Sequence, residues 1–396
     1  MSRLDLLIYA HDGRGLGHAS RSVAIGLAVR RLFPELKVLF LSGAKQSAGL
    51  IGEGGLDWVK LPAYQTRVVG GVSEGRDGES NFSDRELGVI RSGMIRDLVV
   101  RLNPRCVLSD HMPQGKHREL MPALEACGSG GNTHWILGMR GVIGDVTGVW
   151  SSSAVSAFRR FYKDILWYGD RTVLGESIPD GIERHFGRKP AVTGYVSRLA
   201  EWRHTTPDAP MAPASLAATV SVPWIGEHTL SFLSALAGAI ERIGPQLGKW
   251  HLYIGRPKDR SLVQDAEEGF RRLTHCRLFE PGAGYFNSLI QSRIAIIYGG
   301  YNSLTDLLHT GLSGLVVLRN MADLEQQEHL ERLTRLFPER LPAINEEDCR
   351  AANLEKVLLR QLQSVRHDYG GIQLDGAETA AKCIHRAISD QRNRFL

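Results

Sequence analysis

One short glycine turn, residues 299–306 (Gly-Gly-Tyr-Asn-Ser-Leu-Thr-Asp), constrains the fold of this chain most strongly. It follows a continuous apolar run at 294–298 and precedes a helical pattern that begins at Leu304. A strand, a glycine turn and a helix start form a phosphate site in α/β proteins, because the backbone can approach closely and free N–H groups face the ligand. A second glycine turn, residues 13–18, follows the first predicted strand. The two turns predict two nucleotide-fold domains that face a cleft.

Length and charge narrow the classes of protein. A chain of 396 residues is too long for one ordinary core, so we expect two domains of roughly 150–200 residues each. The net charge of +5 is mild, and no Lys/Arg run has interleaved aromatic residues, so nucleic-acid binding is not predicted. An anionic ligand or a weak contact with a membrane surface stays open.

The cysteines and the N-terminal residues indicate the cellular compartment and whether a metal or another cofactor is expected. The five cysteines lie far apart without a CxxC pair, which supports neither a zinc site nor a disulfide framework. No metal-ligand cluster and no other cofactor site is expected. The first nine residues become a strand too early for a signal peptide, and no apolar run reaches the ~18–20 residues that cross a bilayer. We therefore expect a cytoplasmic protein without a transmembrane segment.

The chain alternates predicted strands and helices, which predicts an α/β fold with parallel sheets and crossover helices. The composition of residues 70–88 predicts a mobile loop. Residues 204–215, with three prolines in seven positions, are predicted to form a linker. The predicted helices are 20–33, 85–103 and 377–391. The predicted strands are 6–10, 37–41, 58–61, 106–109, 134–137, 172–174, 218–222, 250–254, 276–279, 293–298 and 314–318.

The first glycine turn is not a dinucleotide fingerprint. Position 18 is His instead of glycine, and the second strand ends in Ser42-Gly43 without the acidic residue that would hold a ribose. NAD is therefore not expected. A neutral His18 at the mouth of the helix could take a proton from an acceptor hydroxyl, or it could be a local cap.

Other polar residues follow predicted strands, where α/β proteins bind ligands. Asp110 beside His111 could act as a base or orient one, or the pair could form an ordinary polar loop. Arg140 could neutralise a phosphate or pair with an aspartate.

The second turn also has two interpretations. Ser303 and Asp306 fit a capping box, or Ser303 and Gly300 hold a phosphate while Asp306 binds ribose hydroxyls. Asp323 and Gln326 could form another capping box, or the polar segment 323–329 could bind sugar hydroxyls.

Together these motifs resemble a known family. An early Gly-x-Gly-His turn, a late Gly-Gly-Tyr-Asn-Ser-Leu-x-Asp turn and a Glu-Gln segment about twenty residues later resemble the GT-B glycosyltransferases, in particular relatives of the N-acetylglucosaminyltransferase that makes the peptidoglycan lipid precursor. The chain resembles still more closely a group of bacterial predicted glycosyltransferases. The motifs shared with that group are Leu16-Gly17-His18-x-x-Arg21, Ser109-Asp110-x-x-Pro113-x-Gly115, Leu137-Gly138-Met139-Arg140, Tyr168-Gly169 and Thr193-Gly194-Tyr195-Val196.

The resemblance covers nearly the whole chain and implies two Rossmann-like domains. Residues 1–200 would hold the acceptor, 201–215 would be the linker, and 216–376 would bind a nucleotide-sugar, with UDP as the expected nucleotide. The helix in residues 377–396 would pack back on the first domain.

The resemblance also implies roles for single residues. His18 and Asp110 would be catalytic, while His111 and Arg140 would contact the acceptor or a phosphate. Asp306 would bind ribose, Gly300 and Ser303 the diphosphate, Gln326 and Gln327 the sugar, and the Phe279-Glu280 backbone the base. Gly17, Asn302 and Glu325 complete the expected donor-binding set.

These roles imply an inverting, metal-independent transfer of the sugar to an acceptor hydroxyl, with a small-molecule donor and a small-molecule acceptor as partners. One departure concerns residues 219–226, where relatives have a Gly/Ser-rich loop on the phosphates and this chain has Pro223-Trp224. Proline removes an N–H donor, so two alternatives stay open. They are a nucleotide-sugar hydrolase on the same fold and a non-catalytic nucleotide-sugar-binding protein.

Overall fold

The protein is described by a computed structural model that covers residues 3–11, 16–69, 72–76, 80–128, 131–142, 149–206, 215–255, 261–282, 284–319 and 324–393. The chain divides into two compact units. Unit 1 consists of residues 1–201 and 371–396, and unit 2 of residues 202–370. Residues 13–15 of the first glycine turn and positions 207–214 of the predicted linker lie outside the described residues.

Unit 1 is built on a parallel sheet whose order, as far as it is described, is β3-β2-β1-β6-β7-β8-β9. Its central strands are apolar and fully buried, as expected for a sheet that helices cover on both faces. An antiparallel hairpin, β4–β5, is separate from it. The strands are β1 (Leu6–Tyr9), β2 (Val38–Ser42), β3 (Asp57–Lys60), β4 (Gln65–Val69), β5 (Val72–Arg76), β6 (Cys106–Asp110), β7 (His134–Arg140), β8 (Tyr162–Tyr168) and β9 (Ala191–Val192).

Helices connect these strands and bury their apolar faces on the sheet. They are α1 (Gly17–Leu32), α2 (Ser47–Ile51), α3 (Asp84–Leu102), α4 (Met121–Cys127), α5 (Ser152–Phe161), α6 (Arg171–Leu174), α7 (Ser177–Phe186) and α8 (Arg198–Thr205), with a 3₁₀ turn at Lys116–Arg118.

Unit 2 repeats the plan with the strand order β12-β11-β10-β13-β14-β15, again parallel. Its core packs Val220, Trp250 and Ile296 from the sheet against Phe232 and Leu358 from helices. The strands are β10 (Leu216–Val222), β11 (Lys249–Ile254), β12 (Cys276–Phe279), β13 (Ser292–Tyr298), β14 (Ser313–Leu318) and β15 (Ala343–Asn345). The helices are α9 (Thr229–Ile243), α10 (Ser261–Arg271), α11 (Gly284–Gln291), α12 (Tyr301–Thr310), α13 (Glu325–Leu336) and α14 (Ala351–Leu362), with 3₁₀ turns at Pro245–Leu247 and Glu346–Asp348.

Two local predictions for unit 1 are wrong. Residues 172–174 were expected to form a strand, but they belong to helix α6, whose Val173 N–H donates to Asp170 Oδ1 at 3.1 Å. Strand β8 was not predicted, because polar Lys163 and Asp164 follow its first residue, Tyr162, and interrupt the apolar pattern.

The mobile loop expected at 70–88 contains regular structure instead. Within it, β5 (Val72–Arg76) pairs with β4, and α3 begins at Asp84. A capping box formed by Ser83 and Glu86 starts this helix, because each side chain satisfies a backbone N–H of the other residue.

The end of the chain, α15 (Gly376–Asn393), returns to unit 1 and packs against α1. Backbone groups fix the point of return, since Gln373 N–H donates to Asp170 Oδ2 at 2.9 Å and Tyr195 N–H donates to Gln373 O at 2.8 Å. Gly194 has φ of +84°, and a Cβ there would lie 2.6 Å from Gln373 O. The Thr193–Val196 motif therefore forms this junction, and position 194 is glycine because the backbone of Gln373 packs too closely for a side chain.

Candidate functional site

Unit 1 brings His18 and Asp110 together at the carboxyl end of its sheet. His18 lies in the first turn of α1, and Asp110 is the last residue of β6. The His18 Nδ1 atom is 2.5 Å from Asp110 Oδ2. The Asp110 side chain is only 1% exposed, whereas His18 is 16% exposed. A buried carboxylate therefore holds an imidazole whose other edge can reach a ligand.

This contact fixes the tautomer of His18. A carboxylate only accepts hydrogen bonds, so the proton sits on Nδ1 and Nε2 keeps its lone pair. Arg21, also buried, approaches Nδ1 to 3.1 Å and Asp110 Oδ1 to 3.7 Å. Because a guanidinium cannot donate to a protonated nitrogen, its effect on the pair is that of a nearby charge.

Two further histidines complete a cluster that we call the histidine triangle: His11, His18 and His111. The ring centroids are 5.2 Å apart for His11 and His18, 5.6 Å for His11 and His111, and 5.3 Å for His18 and His111. His111 was a predicted site residue, but His11 was missed. Its position just after β1, which lies beside β6, was the available signal.

Arg140 ends β7, the next strand along, so the triangle and Arg140 occupy neighbouring strand ends. His111 itself has a left-handed φ of +71°. The indole N–H of Trp150 donates to His111 O at 3.1 Å and helps to hold this unfavourable conformation.

Burial and nearby cations keep the triangle neutral. Burial lowers the pKa of His18 well below its ordinary value, and the charges of Arg21, Arg140 and Lys116 lower it further. Burial likewise lowers the pKa of His11 and of His111, with smaller effects from neighbouring positive groups. A neutral His18 with a free Nε2 is the form that can accept a proton at neutral pH.

A buried ion pair supports the segment that follows Asp110. The side chains of Arg91 on α3 and of Glu119 are both 0% exposed. Arg91 Nε donates to Glu119 Oε2 at 2.5 Å, and Arg91 Nη2 donates to Glu119 Oε1 at 2.7 Å. Tyr9 and Tyr64 donate their hydroxyls to the same carboxylate at 2.5 Å and 2.9 Å. This network ties β1, α3 and the 111–120 segment together, so it positions His11 and His111.

The glycine turn of unit 2 lies between β13 and α12, as predicted, but its capping differs. Gly300 is the N-cap and α12 begins at Tyr301, so the capping box expected for Ser303 and Asp306 is wrong. Ser303 and Asn302 lie in the first turn, at the end of the helix where backbone N–H groups lack helical partners. No atom of the described residues lies within 4 Å of a Cβ added at Gly300.

Asp306 lies in the interior of α12 and is only 7% exposed. Its charge adds to burial in raising the pKa of Tyr285, whose side chain hydrogen-bonds to Ser221. Asp306, Tyr285 on α11 and Ser221 on β10 are therefore neighbours at the carboxyl end of the sheet.

The two glutamines of the expected sugar-binding pair point to different places. A Cβ on Gly299 would lie 3.3 Å from Gln326 Cβ, so Gln326 packs on the glycine turn, and its buried Oε1 has no hydrogen-bond partner among the described residues. Gln327 instead donates to Glu331 Oε1 at 2.9 Å. Helix α13 begins at Glu325 after Leu324 as N-cap, which excludes Gln326 from the expected capping box; Asp323 lies outside the described residues.

Phe279 and Glu280 lie at the end of β12, beside an aromatic group. The Phe279 ring stacks on the Tyr253 ring with 5.1 Å between their centroids, and its centroid lies 4.8 Å from that of the His251 ring. Glu280 is exposed. The expected base contact would thus be made at an aromatic wall.

The Pro223-Trp224 turn is fixed by Arg319. The Arg319 Cζ atom lies 3.6 Å from the Trp224 ring centroid and 4.0 Å from that of Tyr298. Glu346 pairs with the same guanidinium at 3.2 Å, and Arg319 Nη2 donates to Trp224 O at 2.6 Å. Tyr298 directly precedes Gly299, so this stack, here named the Arg319 stack, buttresses both loops at this edge of the sheet.

Comparisons with known proteins identify the architecture. No protein-family model matches the chain, and no curated protein sequence matches it. Among solved structures, MurG of Acinetobacter baumannii superposes with a TM-score of 0.54 at 10% identity, covering 99% of this chain and 100% of that one. UGT71G1 of Medicago truncatula, complexed with UDP-glucose, gives 0.59 at 10% identity, covering 98% of each chain. UDP-GlcNAc 2-epimerase of Methanocaldococcus jannaschii gives 0.60 at 10% identity, covering 98% and 100%.

The chain has the GT-B fold. The predicted α/β class with parallel sheets and the resemblance to GT-B proteins are thereby confirmed. In the described part of this GT-B chain, no helix is long and apolar enough to cross a membrane. Nor do three or more His, Cys, Asp or Glu side chains of the described ranges, the histidine triangle included, form a metal-binding group.

Proposed function

We propose that the protein is a glycosyltransferase that moves a sugar from a nucleoside-diphosphate sugar to an acceptor hydroxyl. The observation that carries the proposal is the 2.5 Å contact between His18 and the buried Asp110. It leaves a neutral imidazole with a free Nε2 at the mouth of a helix, which is what deprotonation of an acceptor requires.

In this proposal unit 1 activates the acceptor. The acceptor hydroxyl hydrogen-bonds to His18 Nε2, and its oxygen attacks the anomeric carbon of the donor while Nε2 takes the proton. Asp110 keeps the second proton on Nδ1 and stabilises the imidazolium that forms, as a buried carboxylate does in other dyads. Attack from the side opposite the leaving diphosphate inverts the anomeric configuration.

Unit 2 holds the donor in the same proposal. The N-terminus of α12, with Gly300, Asn302 and Ser303, receives the diphosphate, and the helix dipole stabilises the charge that develops on it. No metal ion is required for this stabilisation. Asp306 would bind the ribose hydroxyls.

The remaining donor contacts divide between α13 and β12. Gln326 would read the sugar, since it already packs on the glycine turn, with Glu325 beside it. Gln327 would have to exchange its bond with Glu331 for the donor. The Phe279-Glu280 backbone would contact the base, with UDP as the expected nucleotide. We place the reaction in the cytoplasm, which the free state of all five cysteines supports.

A second candidate is a reaction of the nucleotide-sugar without an acceptor, namely epimerisation or hydrolysis. The superposition on a UDP-GlcNAc 2-epimerase with a TM-score of 0.60 favours it. The two candidates share the donor pocket and differ in what His18 deprotonates, which is an acceptor in one case and the sugar or a water molecule in the other.

The test has two stages. Thermal shifts of the full chain with a panel of nucleotides and nucleotide-sugars would find the donor, because a ligand of the native state raises the melting temperature. NMR of the stabilising nucleotide-sugar, incubated with the protein and candidate acceptors, would then identify the product. A glycoside of inverted configuration is the expected result. A free sugar would indicate hydrolysis, a changed sugar epimerisation, and binding without turnover would contradict an enzymatic function.

A further inference from the structure

We propose that the acceptor carries an oxyanion, either a carboxylate or a phosphate, and that His11, His111 and Arg140 form the pocket that binds it. This inference rests on the proposed transfer reaction and names the chemical class of its acceptor. It gives a role to His11, which the donor-side and base assignments do not use.

The geometry of the strand ends supports such a pocket. His11, His111 and Arg140 follow or end β1, β6 and β7, which are neighbours in the sheet. The Nδ1 atoms of His11 and His111 are buried and have no hydrogen-bond partner within the described ranges. A neutral imidazole can carry its proton on Nδ1 and donate it, so an oxygen ligand that enters between the rings would satisfy both nitrogens.

The charges around the triangle favour an anion. In the part of the chain that the structure describes, the cations that act on the three imidazoles are Arg21, Arg91, Lys116 and Arg140. Two carboxylates lie among them. Asp110 contacts His18, and Glu119 takes both contacts of Arg91. Among the described residues, four positive groups thus face two negative ones, a balance that favours an anion where little water screens the charges.

The 16-residue helix α1 adds to this potential. Its N-terminal residues Gly17 and His18 face the same edge of the sheet, and the positive end of a helix dipole attracts negative charge. The anion would therefore sit beside His18, and the hydroxyl of the same acceptor would be brought to Nε2. Anchoring one end of the acceptor raises the rate by fixing the other end close to the base.

The experiment measures binding of inorganic phosphate and of acetate to the full chain by calorimetry, without donor and at constant ionic strength set with chloride. We expect one of the two ions to bind, and Arg140→Gln to weaken that binding by about tenfold or more, as loss of a charge-assisted hydrogen bond does. Arg96→Gln on α3 removes the same charge from an exposed site, where Arg96 pairs with Asp97, and should leave binding unchanged. Binding of phosphate alone would assign a phosphate-bearing acceptor, and binding of acetate a carboxylate-bearing one.

Binding of neither ion, or equal weakening in both variants, would overturn the proposal. So would a phosphate affinity that Ser303→Ala in unit 2 lowers while Arg140→Gln does not, because the ion would then occupy the donor site. A second measurement covers the case in which Arg140→Gln folds poorly. NMR titration of the wild-type imidazoles should show the pKa of His11 and His111 rising when the ion is present, and unchanged values would also overturn the pocket.

These outcomes are separate from those of the proposed function. Sugar transfer with no ion binding would refute the oxyanion pocket and leave the transferase intact. Ion binding that depends on Arg140, in a protein that turns over no nucleotide-sugar, would refute the transferase and leave the oxyanion pocket intact.

Discussion

The two candidate sites differ in how they are built. In unit 1 the chemistry lies in side chains, because His11, His18, Asp110 and His111 come from three segments that meet only in the fold. In unit 2 it lies mainly in the backbone of one continuous segment, the turn from Gly299 into α12. Side chains can exchange protons, whereas a glycine turn and a helix N-terminus can only bind and stabilise charge.

This contrast has a practical consequence for mutations. A change in the unit 1 site should reduce turnover and leave nucleotide affinity as it is. A change in the unit 2 site should act first on nucleotide affinity. Four measurements, from the largest expected effect to the smallest, test this difference between the two units.

The largest effect is expected at His18. His18→Ala removes the proposed base, and turnover should fall by about 10²–10⁴-fold, the usual contribution of general base catalysis, while calorimetry with the nucleotide shows unchanged affinity. The chain offers a matched control in His134, whose Nε2 lies 2.6 Å from Asp164 Oδ2 at the opposite end of strand β7. His134→Ala should keep full turnover, and a wild-type rate in His18→Ala would refute the assignment.

The buried ion pairs should give the next largest effect. Glu119→Gln in unit 1 leaves Arg91 uncompensated at 0% exposure, and loss of one partner of such a pair costs about 3–5 kcal/mol. Glu346→Gln in unit 2 should cost less, because Arg319 keeps its stacking on two aromatic rings and its bond to Trp224 O. Urea unfolding of both variants measures the difference. A larger loss for Glu346→Gln would show that the Arg319 stack depends chiefly on its carboxylate.

Asp306 tests the donor side. If it binds ribose, Asp306→Asn should weaken binding of a nucleoside diphosphate by about tenfold to a hundredfold, since a hydrogen bond to a charged group is worth about 1.5–3 kcal/mol. Asp265→Asn, on an exposed face of α10, makes the same change of charge in the same unit. Equal affinities for the two variants in calorimetry would remove Asp306 from the donor site.

The smallest effect per group concerns pH. The lowered pKa of His11, His18 and His111 means that the unfolded chain binds more protons below its ordinary histidine pKa of about 6.5. As the pH is lowered below that value, the free energy of unfolding should therefore decrease, by about 1.4 kcal/mol per pH unit for each group. In unit 2, burial lowers the pKa of His329 to about 4. His329 therefore adds one group to the pH dependence of the free energy of unfolding, compared with three groups in unit 1.

His11→Asn should reduce the slope of the free energy of unfolding against pH by about 1.4 kcal/mol per pH unit, the contribution of one group. Unfolding curves at a series of pH values would show it. An unchanged slope in His11→Asn would mean that His11 is charged or already accessible in the folded protein.

The sequence predicts local structure well where glycines and periodicity determine it. The Gly299–Gly300 turn and its helix follow from glycines and periodicity, and both are in the structure. The helix start was misplaced because Ser303 fits an N-cap by type, but the open backbone of Gly300 takes that position. Similarly, Gln326 and Gln327 look equivalent in sequence, but a 100° step along α13 separates their directions.

Side-chain sites assembled from distant segments are harder to predict. His11 stands in an ordinary position after a strand, and only the order β1-β6-β7 reveals that it meets His111. Strand β8 was not predicted because half-buried Lys163 and Asp164 interrupt its apolar pattern directly after Tyr162. In each case the deciding interaction is tertiary, so no local pattern reports it.

The return of the chain into unit 1 has a consequence for biosynthesis. Unit 2 is continuous from 202 to 370, while unit 1 also needs the Gln373 junction and α15, which follow all of unit 2 in the sequence. Until α15 has been made and has docked, unit 1 exposes the surface of α1 that α15 covers. During translation, we expect unit 1 to be the later of the two to mature and the one more dependent on chaperones.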